Sequence, residues 1–111
     1  LMNNCHFIGK LIEDPILVKH DNVDLVYFKL AIEEFIKSKN GKKIRRVDVL
    51  TFEAWHTGAV TIAQNSRVGD ILAVNAVARN YGEEAGEEEL INFRVVNFKI
   101  FGKDKWQENN E

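Results

Sequence analysis

The chain has little of what covalent bridges and membrane spans require. Its 111 residues include one cysteine, Cys5, and one proline, Pro15. A single cysteine forms no internal disulfide, so the fold depends on an apolar core, and a chain of this length suffices for one domain. No apolar run approaches the roughly 20 residues of a membrane-spanning helix, and no signal-peptide pattern opens the chain. We therefore expect a soluble cytoplasmic protein that does not contact membranes.

Groups that could support catalysis are also sparse. The three histidines, His6, His20 and His56, lack the spacing of metal ligands. Gly82 and Gly86 are flanked by glutamates, which would repel a phosphate group. We expect no enzymatic activity, no cofactor and no metal site.

An excess of charge of either sign is missing as well. The chain has 15 Lys and Arg against 17 Asp and Glu, a net charge of −2, which by itself disfavours a polyanionic partner. The charges are segregated, however. Residues 37–46 hold six basic side chains and no acid, whereas residues 83–89 hold five glutamates and no base. We therefore look for a binding site near the basic segment.

Most apolar residues recur with a period of two, which is typical of β-strands. The first predicted strand runs from His6 to Ile12, where Gly9 indicates a bulge or a close backbone approach. In the second, over 26–36, the even positions predict a buried face and the odd positions a solvated one. In the third, over 44–55, the residues predicted to point outward are Arg45, Val47, Val49, Thr51, Glu53 and Trp55.

The pair Asn40-Gly41 separates these two strands and predicts a hairpin, because both residues tolerate a positive φ. The basic segment 37–46 then forms the tip and arms of that hairpin. A short helix is predicted over 56–66, and two further strands over 71–81 and 90–101. The phenylalanines expected in the core or in strand packing are Phe7, Phe52, Phe93, Phe98 and Phe101.

The resulting order, β-β-β-α-β-β, favours an OB-fold. This fold is a mostly β, five-stranded, partly open Greek-key barrel, and here one short helix lies between strands 3 and 4. We expect residues 2–102 to form the barrel and residues 103–111 to form a short polar tail. OB-folds bind oligonucleotides across strands 2 and 3, which here carry the basic hairpin.

Three segments of the chain resemble the bacterial and phage single-stranded DNA-binding proteins. The opening Asn3-x5-Gly9-Lys10-Leu11-x2-Asp14-Pro15 is similar to the start of that family, and Phe28-x-Leu30-Ala31-Ile32 is similar to its second strand. The third segment, Asp48-x6-Trp55 followed by Ala59, Ile62, Ala63 and Gly69-Asp70, resembles its third strand, its helix and the start of its fourth strand. The order and spacing of the segments make the resemblance specific.

The resemblance implies sequence-nonspecific binding of single-stranded DNA in replication, recombination and repair. It also implies a homo-oligomer, for which we favour a tetramer over a dimer, and a nucleoid-associated location, or the host cytoplasm if the protein is phage-encoded. Bacterial members recruit partner enzymes through an acidic tip that ends in Pro-Phe. Residues 106–111 have no such ending, so we do not expect that recruitment.

A binder of single strands needs cations for phosphates and aromatic faces for bases. Trp55 falls on one of the base-stacking positions of the family. Phe35 lies one residue before a second such position. A third is occupied by Glu83, and Tyr81 lies two residues before it. A further family aromatic is replaced by Val49. The complete set of predicted contacts is Phe35, Lys37, Lys39, Lys42, Lys43, Arg45, Arg46, Trp55, Arg79 and Tyr81. Fewer platforms and a glutamate-rich loop predict weaker, more salt-sensitive binding than in a fully equipped relative.

A second hypothesis belongs to another functional class. The chain could serve as an OB-fold interaction module, such as a primosome-type accessory protein, whose aromatic residues are buried between protomers. DNA contact would then be secondary. Quenching of Trp55 by an oligonucleotide would separate the two hypotheses.

Overall fold

The computed structural model describes residues 1–81 and 90–103. Within these residues the chain forms six strands and one helix, namely β1 (Cys5–Leu11), β2 (Ile16–His20), β3 (Val23–Lys37), β4 (Lys43–Trp55), α1 (His56–Asn65), β5 (Asp70–Asn80) and β6 (Ile91–Lys103). The glutamate-rich segment 83–89 and the predicted tail after Lys103 lie outside the described residues. Lys103 itself belongs to β6, one residue beyond the predicted end of the barrel.

The strands form one sheet that curls into a barrel. Their order is β1-β5-β6-β4-β3-β2, and β1 also pairs with β3 at Lys10↔Ala31. The pairing of β4 with β6 is parallel, at Glu53↔Arg94, whereas the other pairings are antiparallel. Five strands therefore close a ring, as predicted for an OB-fold, and β2 lies outside it on the edge of β3.

The prediction of five strands missed β2. Every residue of β2 is exposed, so the strand has no buried alternate face that would reveal it in the sequence. It is joined to β3 by Asp21 and Asn22, which have φ values of 50° and 66°. Two consecutive positive φ values define the type I′ hairpin turn, for which Asp and Asn are favoured residues. The Asp-Asn pair was thus the local signal for this hairpin.

The predicted alternation in β3 and β4 is confirmed for the barrel core. Val26, Phe28 and Leu30 on β3 and Phe52 on β4 have at most 1% of their surface exposed. The rings of Phe28 and Phe52 stack with centroids 5.3 Å apart. Burial of one such side chain contributes about 1.5 to 3 kcal/mol, so these facing rows stabilise the wall that carries the hairpin.

The remaining phenylalanines divide into core and surface. Phe7 packs edge-on against Phe52 with centroids 5.5 Å apart, and Phe93 and Phe98 pack against the core. The expectation for Phe101 is wrong, because 55% of its surface is exposed. A register shift pairs its two neighbours in β6 with consecutive residues of β5, which leaves Phe101 on a bulge.

The helix and Gly9 close the barrel as the sequence predicts. Ala59 and Ile62 on α1 are fully buried, and the Ser66 hydroxyl ends the helix by donating to the carbonyl of Ile62 at 2.6 Å. A Cβ at Gly9 would lie 2.6 Å from Cδ1 of Ile32. Such a contact is impossible without displacement, so glycine is what permits β1 to approach β3.

The basic hairpin is also confirmed, with one local correction. The turn is closed by the Gly41 N–H, which donates to the Ser38 carbonyl at 3.0 Å, and by the Ser38 N–H, which donates to the Lys42 carbonyl at 2.8 Å. Gly41 has a φ of 79°, whereas Asn40 does not have a positive φ. A turn followed by one left-handed glycine forms a three-residue hairpin loop rather than the two-residue type.

Candidate nucleic-acid interface

The strand register assigns most of the predicted contacts to one surface. Residues directly opposite each other in a ladder share a face of the sheet, and the pairs Phe35↔Arg45 and Lys37↔Lys43 are such partners. We call this surface, which faces away from the core, the outer face. Trp55 belongs to it as well, since it lies an even number of residues along β4 from Arg45.

A group of three cations surrounds one aromatic ring near the hairpin tip. Phe35 is 57% exposed, and Nζ of Lys43 lies 4.9 Å from its ring centroid. Lys37 and Arg45 complete what we call the tip cluster, and Arg45 donates to Glu33 at 3.1 Å. The cluster offers an exposed ring and neighbouring positive charge, although one of its cations has an acidic partner.

Arg46 does not join this cluster. Its ladder partner is Glu34, so its side chain lies on the opposite face of the hairpin. There it forms two hydrogen bonds with Asp48, at 3.1 and 3.3 Å. These hydrogen bonds and the negative charge of Asp48 raise the pKa of Arg46, so its guanidinium remains charged. Lys39 and Lys42 are exposed in the turn itself.

The second group of aromatic and basic side chains lies at the far end of β4. Trp55 is half-buried, and the guanidinium carbon of Arg94 lies 5.6 Å from its ring centroid. His20 meets the same ring nearly edge-on, with centroids 5.7 Å apart. An open depression of about 480 Å³ is lined by Trp55, Arg94, His56 and Val95. The ten residues from Arg45 to Trp55 separate this group from the tip cluster by about 30 Å.

The prediction that Glu53 points into solvent is wrong. It lies on the outer face, as its odd position requires, yet only 6% of it is exposed. Its Oε2 accepts a hydrogen bond from the indole Nε1–H of Trp55 and lies 3.7 Å from Nε of Arg94. Its Oε1 accepts from the side-chain amide of Asn92 at 3.0 Å. The side chains of these neighbours cover the carboxylate, and we call the four residues the Trp55 cluster.

Arg79 and Tyr81 extend the same surface onto β5. Arg79 is the ladder partner of Asn92, and Val77 is the partner of Arg94, so Arg79 lies on the outer face. Tyr81 follows β5, is 47% exposed and donates its backbone N–H to the Leu90 carbonyl at 3.2 Å. The predicted residues are therefore spread over one face, with Phe35 at the hairpin end, Trp55 at the opposite end of β4, and Arg79 and Tyr81 two strands away at the end of β5.

Sequence reasoning missed two residues at the Trp55 end of the outer face, Arg94 and His20. Arg94 reaches Trp55 because β6 lies beside β4 in a parallel pairing, which no local pattern specifies. A signal did exist, since Arg94 is the one charged residue within the otherwise uncharged run 90–98. His20 ends β2, the strand that was not predicted.

Taken together, the outer face presents aromatic rings with cations beside them. It also presents the apolar side chains Val47 and Val49, which are 39% and 51% exposed between the two ends. Within residues 1–81 and 90–103, no three His, Cys, Asp or Glu side chains are placed to hold a metal ion. No helix in that part of the chain is long and apolar enough to cross a membrane.

No protein-family model and no curated protein sequence matches this chain. Solved structures with the same fold do match it. A deletion mutant of the single-stranded DNA-binding protein from Thermus aquaticus superimposes with a TM-score of 0.82 and 14% sequence identity. The match covers 93% of this chain and 52% of the Thermus chain, so this chain spans about half the length of that protein. The small single-stranded DNA-binding protein from Streptomyces coelicolor has a TM-score of 0.70 and 16% identity, covering 90% of this chain and 94% of its own. These likenesses confirm the predicted OB-fold.

Proposed function

We propose that this protein binds single-stranded DNA without sequence preference along the outer face of its barrel. The observation that carries the proposal is the pairing of an aromatic ring with a cation at both ends of that face, Lys43 against Phe35 and Arg94 against Trp55. Unstacked bases bind to aromatic faces and phosphates to cations, and neither contact reads sequence. The two structural neighbours, each described as a single-stranded DNA-binding protein, support this function.

Each proposed contact has a chemical role. Phe35, Trp55 and Tyr81 would stack bases, and each stacked base contributes about 1 to 3 kcal/mol. Lys37, Lys43, Arg45, Arg79 and Arg94 would contact phosphates, with Lys39 and Lys42 extending the positive surface at the turn. Arg46 lies on the other face of the hairpin and would contribute through its charge rather than by direct contact. The chain would then act by binding alone, protecting and organising strands during replication, recombination and repair.

The acidic partners of the basic residues predict modest, salt-sensitive affinity. Arg45 is paired with Glu33 and Arg94 with Glu53, so a phosphate must compete with a carboxylate for each guanidinium. Between the two ends of the face, the exposed side chains of Val47 and Val49 offer neither charge nor an aromatic ring. Binding should therefore weaken steeply as salt neutralises the remaining cations.

The test is a titration of a fluorescent dT oligonucleotide at two salt concentrations, with the wild type and Trp55→Ala. We expect saturable binding at low salt, weaker binding at high salt and a loss of affinity in the variant. Absence of binding at low salt would overturn the proposal. A slope of log affinity against log salt close to zero would contradict the electrostatic part of the proposal.

We further propose that the protein assembles as a homo-oligomer, a tetramer in preference to a dimer. Within the described residues, Cys5–Gly9 of β1 have a strand partner only on the β5 side, so their other edge is open to pairing. Ile8 and Val96, which are 65% and 69% exposed, supply apolar surface that an interface would cover.

The second candidate function, a protein-interaction module, is favoured by β2. Ile16, Leu17 and Val18 on this edge strand are all exposed, and an edge strand can pair with another chain. This hypothesis places Trp55 in a protein interface, and it predicts an oligomer whose tryptophan fluorescence does not respond to oligonucleotides. The ring and cation pairs of the outer face favour the first candidate.

A further inference from the structure

The buried carboxylate of Glu53 has no evident reason to lie within a surface that is proposed to bind a polyanion. Burial of a carboxylate is unfavourable unless hydrogen bonds and positive charge compensate for it, and its negative charge opposes phosphate. Glu53 nevertheless lies directly beside Trp55, the residue most strongly predicted to stack a base. Its geometry indicates what it does there.

Both oxygens of Glu53 are used to hold neighbouring side chains. Oε2 accepts from the Trp55 indole Nε1–H and faces Nε of Arg94 at 3.7 Å, while Oε1 accepts from Asn92 at 3.0 Å. Glu53 and Asn92 are only 6% and 4% exposed. Glu53 and Asn92 are therefore buried within the sheet, whereas the indole of Trp55, which Glu53 holds, is the partly exposed end of the Trp55 cluster.

We propose that Glu53 is a positioning residue, which fixes the orientation of Trp55 and Arg94 so that one can stack a base and the other can contact its phosphate. The inference rests on the proposed function. An indole held by its Nε1–H cannot rotate about its side-chain bonds without losing that hydrogen bond. Ordering the ring before DNA arrives removes an entropic cost from binding, which is how preorganised sites gain affinity.

The proposal predicts a change in DNA affinity opposite to the one that simple electrostatics predicts. Replacement of a carboxylate on this face should tighten DNA binding if charge alone matters. Glu33→Met is the matched control, since Glu33 lies on the same face of the hairpin and pairs with Arg45 at 3.1 Å without contacting an indole. We expect Glu33→Met to bind a dT oligonucleotide at least as tightly as the wild type. Glu53→Met should bind about 3- to 10-fold more weakly, the range expected for one net hydrogen bond.

The conservative variant should restore binding. In Glu53→Gln, the side-chain oxygen can still accept from the indole of Trp55. The amide nitrogen then takes the place of Oε1, and it can donate to Oδ1 of Asn92 once the Asn92 side-chain amide turns by 180°. That oxygen has no hydrogen-bond partner among the described residues. We expect Glu53→Gln to bind as tightly as the wild type or slightly more tightly. In a Trp55→Ala background, Glu53→Met should weaken binding much less than in the wild type, because only the positioning of Arg94 remains to be lost, whereas a general loss of structure would weaken binding equally in both backgrounds.

A measurement on the free protein keeps the proposal testable if Glu53→Met fails to fold. In a Trp106→Phe background, where Trp55 is the only tryptophan, the indole Nε1–H can be followed by NMR hydrogen exchange. We expect it to exchange at least 10-fold more slowly than a free indole, and to lose that protection in Glu53→Met if the variant folds. Exchange as fast as a free indole, or Glu53→Met binding as tightly as Glu33→Met, would overturn the proposal. Failure of the wild type to bind the oligonucleotide would instead contradict the proposed function, since the exchange measurement contains no DNA.

Discussion

At the scale of single residues, the aromatic side chains proposed to stack bases should dominate affinity. Trp55→Ala removes a ring beside Arg94, and we expect a loss of about 1 to 3 kcal/mol in binding of a dT oligonucleotide, measured by fluorescence anisotropy at low salt. Phe101→Ala is the matched control. Phe101 is another exposed ring with a lysine against it, since Nζ of Lys99 lies 5.2 Å from its centroid. It lies seven residues beyond Arg94 along β6, which runs parallel to β4, so it is beyond the Trp55 end of the proposed contacts and its removal should leave affinity unchanged.

The same scale shows what residue patterns can and cannot predict. Counting positions along the strands placed Phe35 and Trp55 on the outer face because each lies on a strand whose opposite side is apolar. The burial of Glu53 escaped that reasoning, because it depends on Arg94 and Asn92 from a strand more than thirty residues later in the chain. A period of two shows on which face of the sheet a side chain lies, but it does not show which neighbouring side chains cover it.

At the scale of elements, the hairpin formed by β3 and β4 should account for much of the salt dependence. Each phosphate contact to a single strand contributes about 0.7 to the slope of log affinity against log salt. The double variant Lys37→Gln, Lys43→Gln should therefore reduce that slope by about 1.4. Arg46→Gln is the comparison, because its guanidinium faces the other side of the hairpin and is bonded to Asp48. An equal change in both proteins would contradict the assignment of phosphate contacts to one face.

The closure of β1 onto β3 provides a second test at this scale. Gly9→Ala would place a Cβ 2.6 Å from Cδ1 of Ile32 and 2.9 Å from the Ala31 carbonyl oxygen. We expect the free energy of unfolding in urea to fall by about 1 to 3 kcal/mol, as for other overpacked sites.

Gly58→Ala is the internal comparison for Gly9→Ala. The nearest atom to its added Cβ would be Cε1 of Phe98 at 3.5 Å, an ordinary contact. Because alanine also favours a helix, this variant should gain up to about 1 kcal/mol of stability. Similar destabilisation of both variants would show that close packing at Gly9 is not the cause.

Element prediction succeeded where a local signal existed and was used. The helix at 56–65 and the hairpin at Asn40-Gly41 were found because apolar spacing and turn residues specify them within a few positions. The β2 hairpin had its own signal in Asp21-Asn22, but its wholly exposed strand has no buried face with which to confirm it.

At the scale of the whole molecule, the barrel leaves apolar surface that assembly would cover. Light scattering after size-exclusion chromatography should give a mass that is a multiple of 12.7 kDa, with four copies favoured over two. Ile8→Lys, which places a charge on the exposed side of β1, should shift this mass downward if β1 forms an interface. A monomeric wild type at micromolar concentration would contradict the proposed assembly.

The arrangement of strands in the barrel follows from the order of elements, which the sequence patterns indicated. The fold could therefore be predicted, while the register of the parallel contact between β4 and β6, which places Glu53 opposite Arg94, could not, because no local pattern of residues specifies it. The Trp55 cluster forms at that contact.

The central claim is that one face of this barrel binds single-stranded DNA through aromatic rings and adjacent cations. The most direct test is titration of a dT oligonucleotide into the Trp106→Phe protein at low salt, with the fluorescence of Trp55 as the signal. We predict saturable quenching that diminishes as salt is raised and that equimolar duplex DNA does not reproduce. An unchanged Trp55 signal at low salt, with oligonucleotide in excess, would contradict the claim.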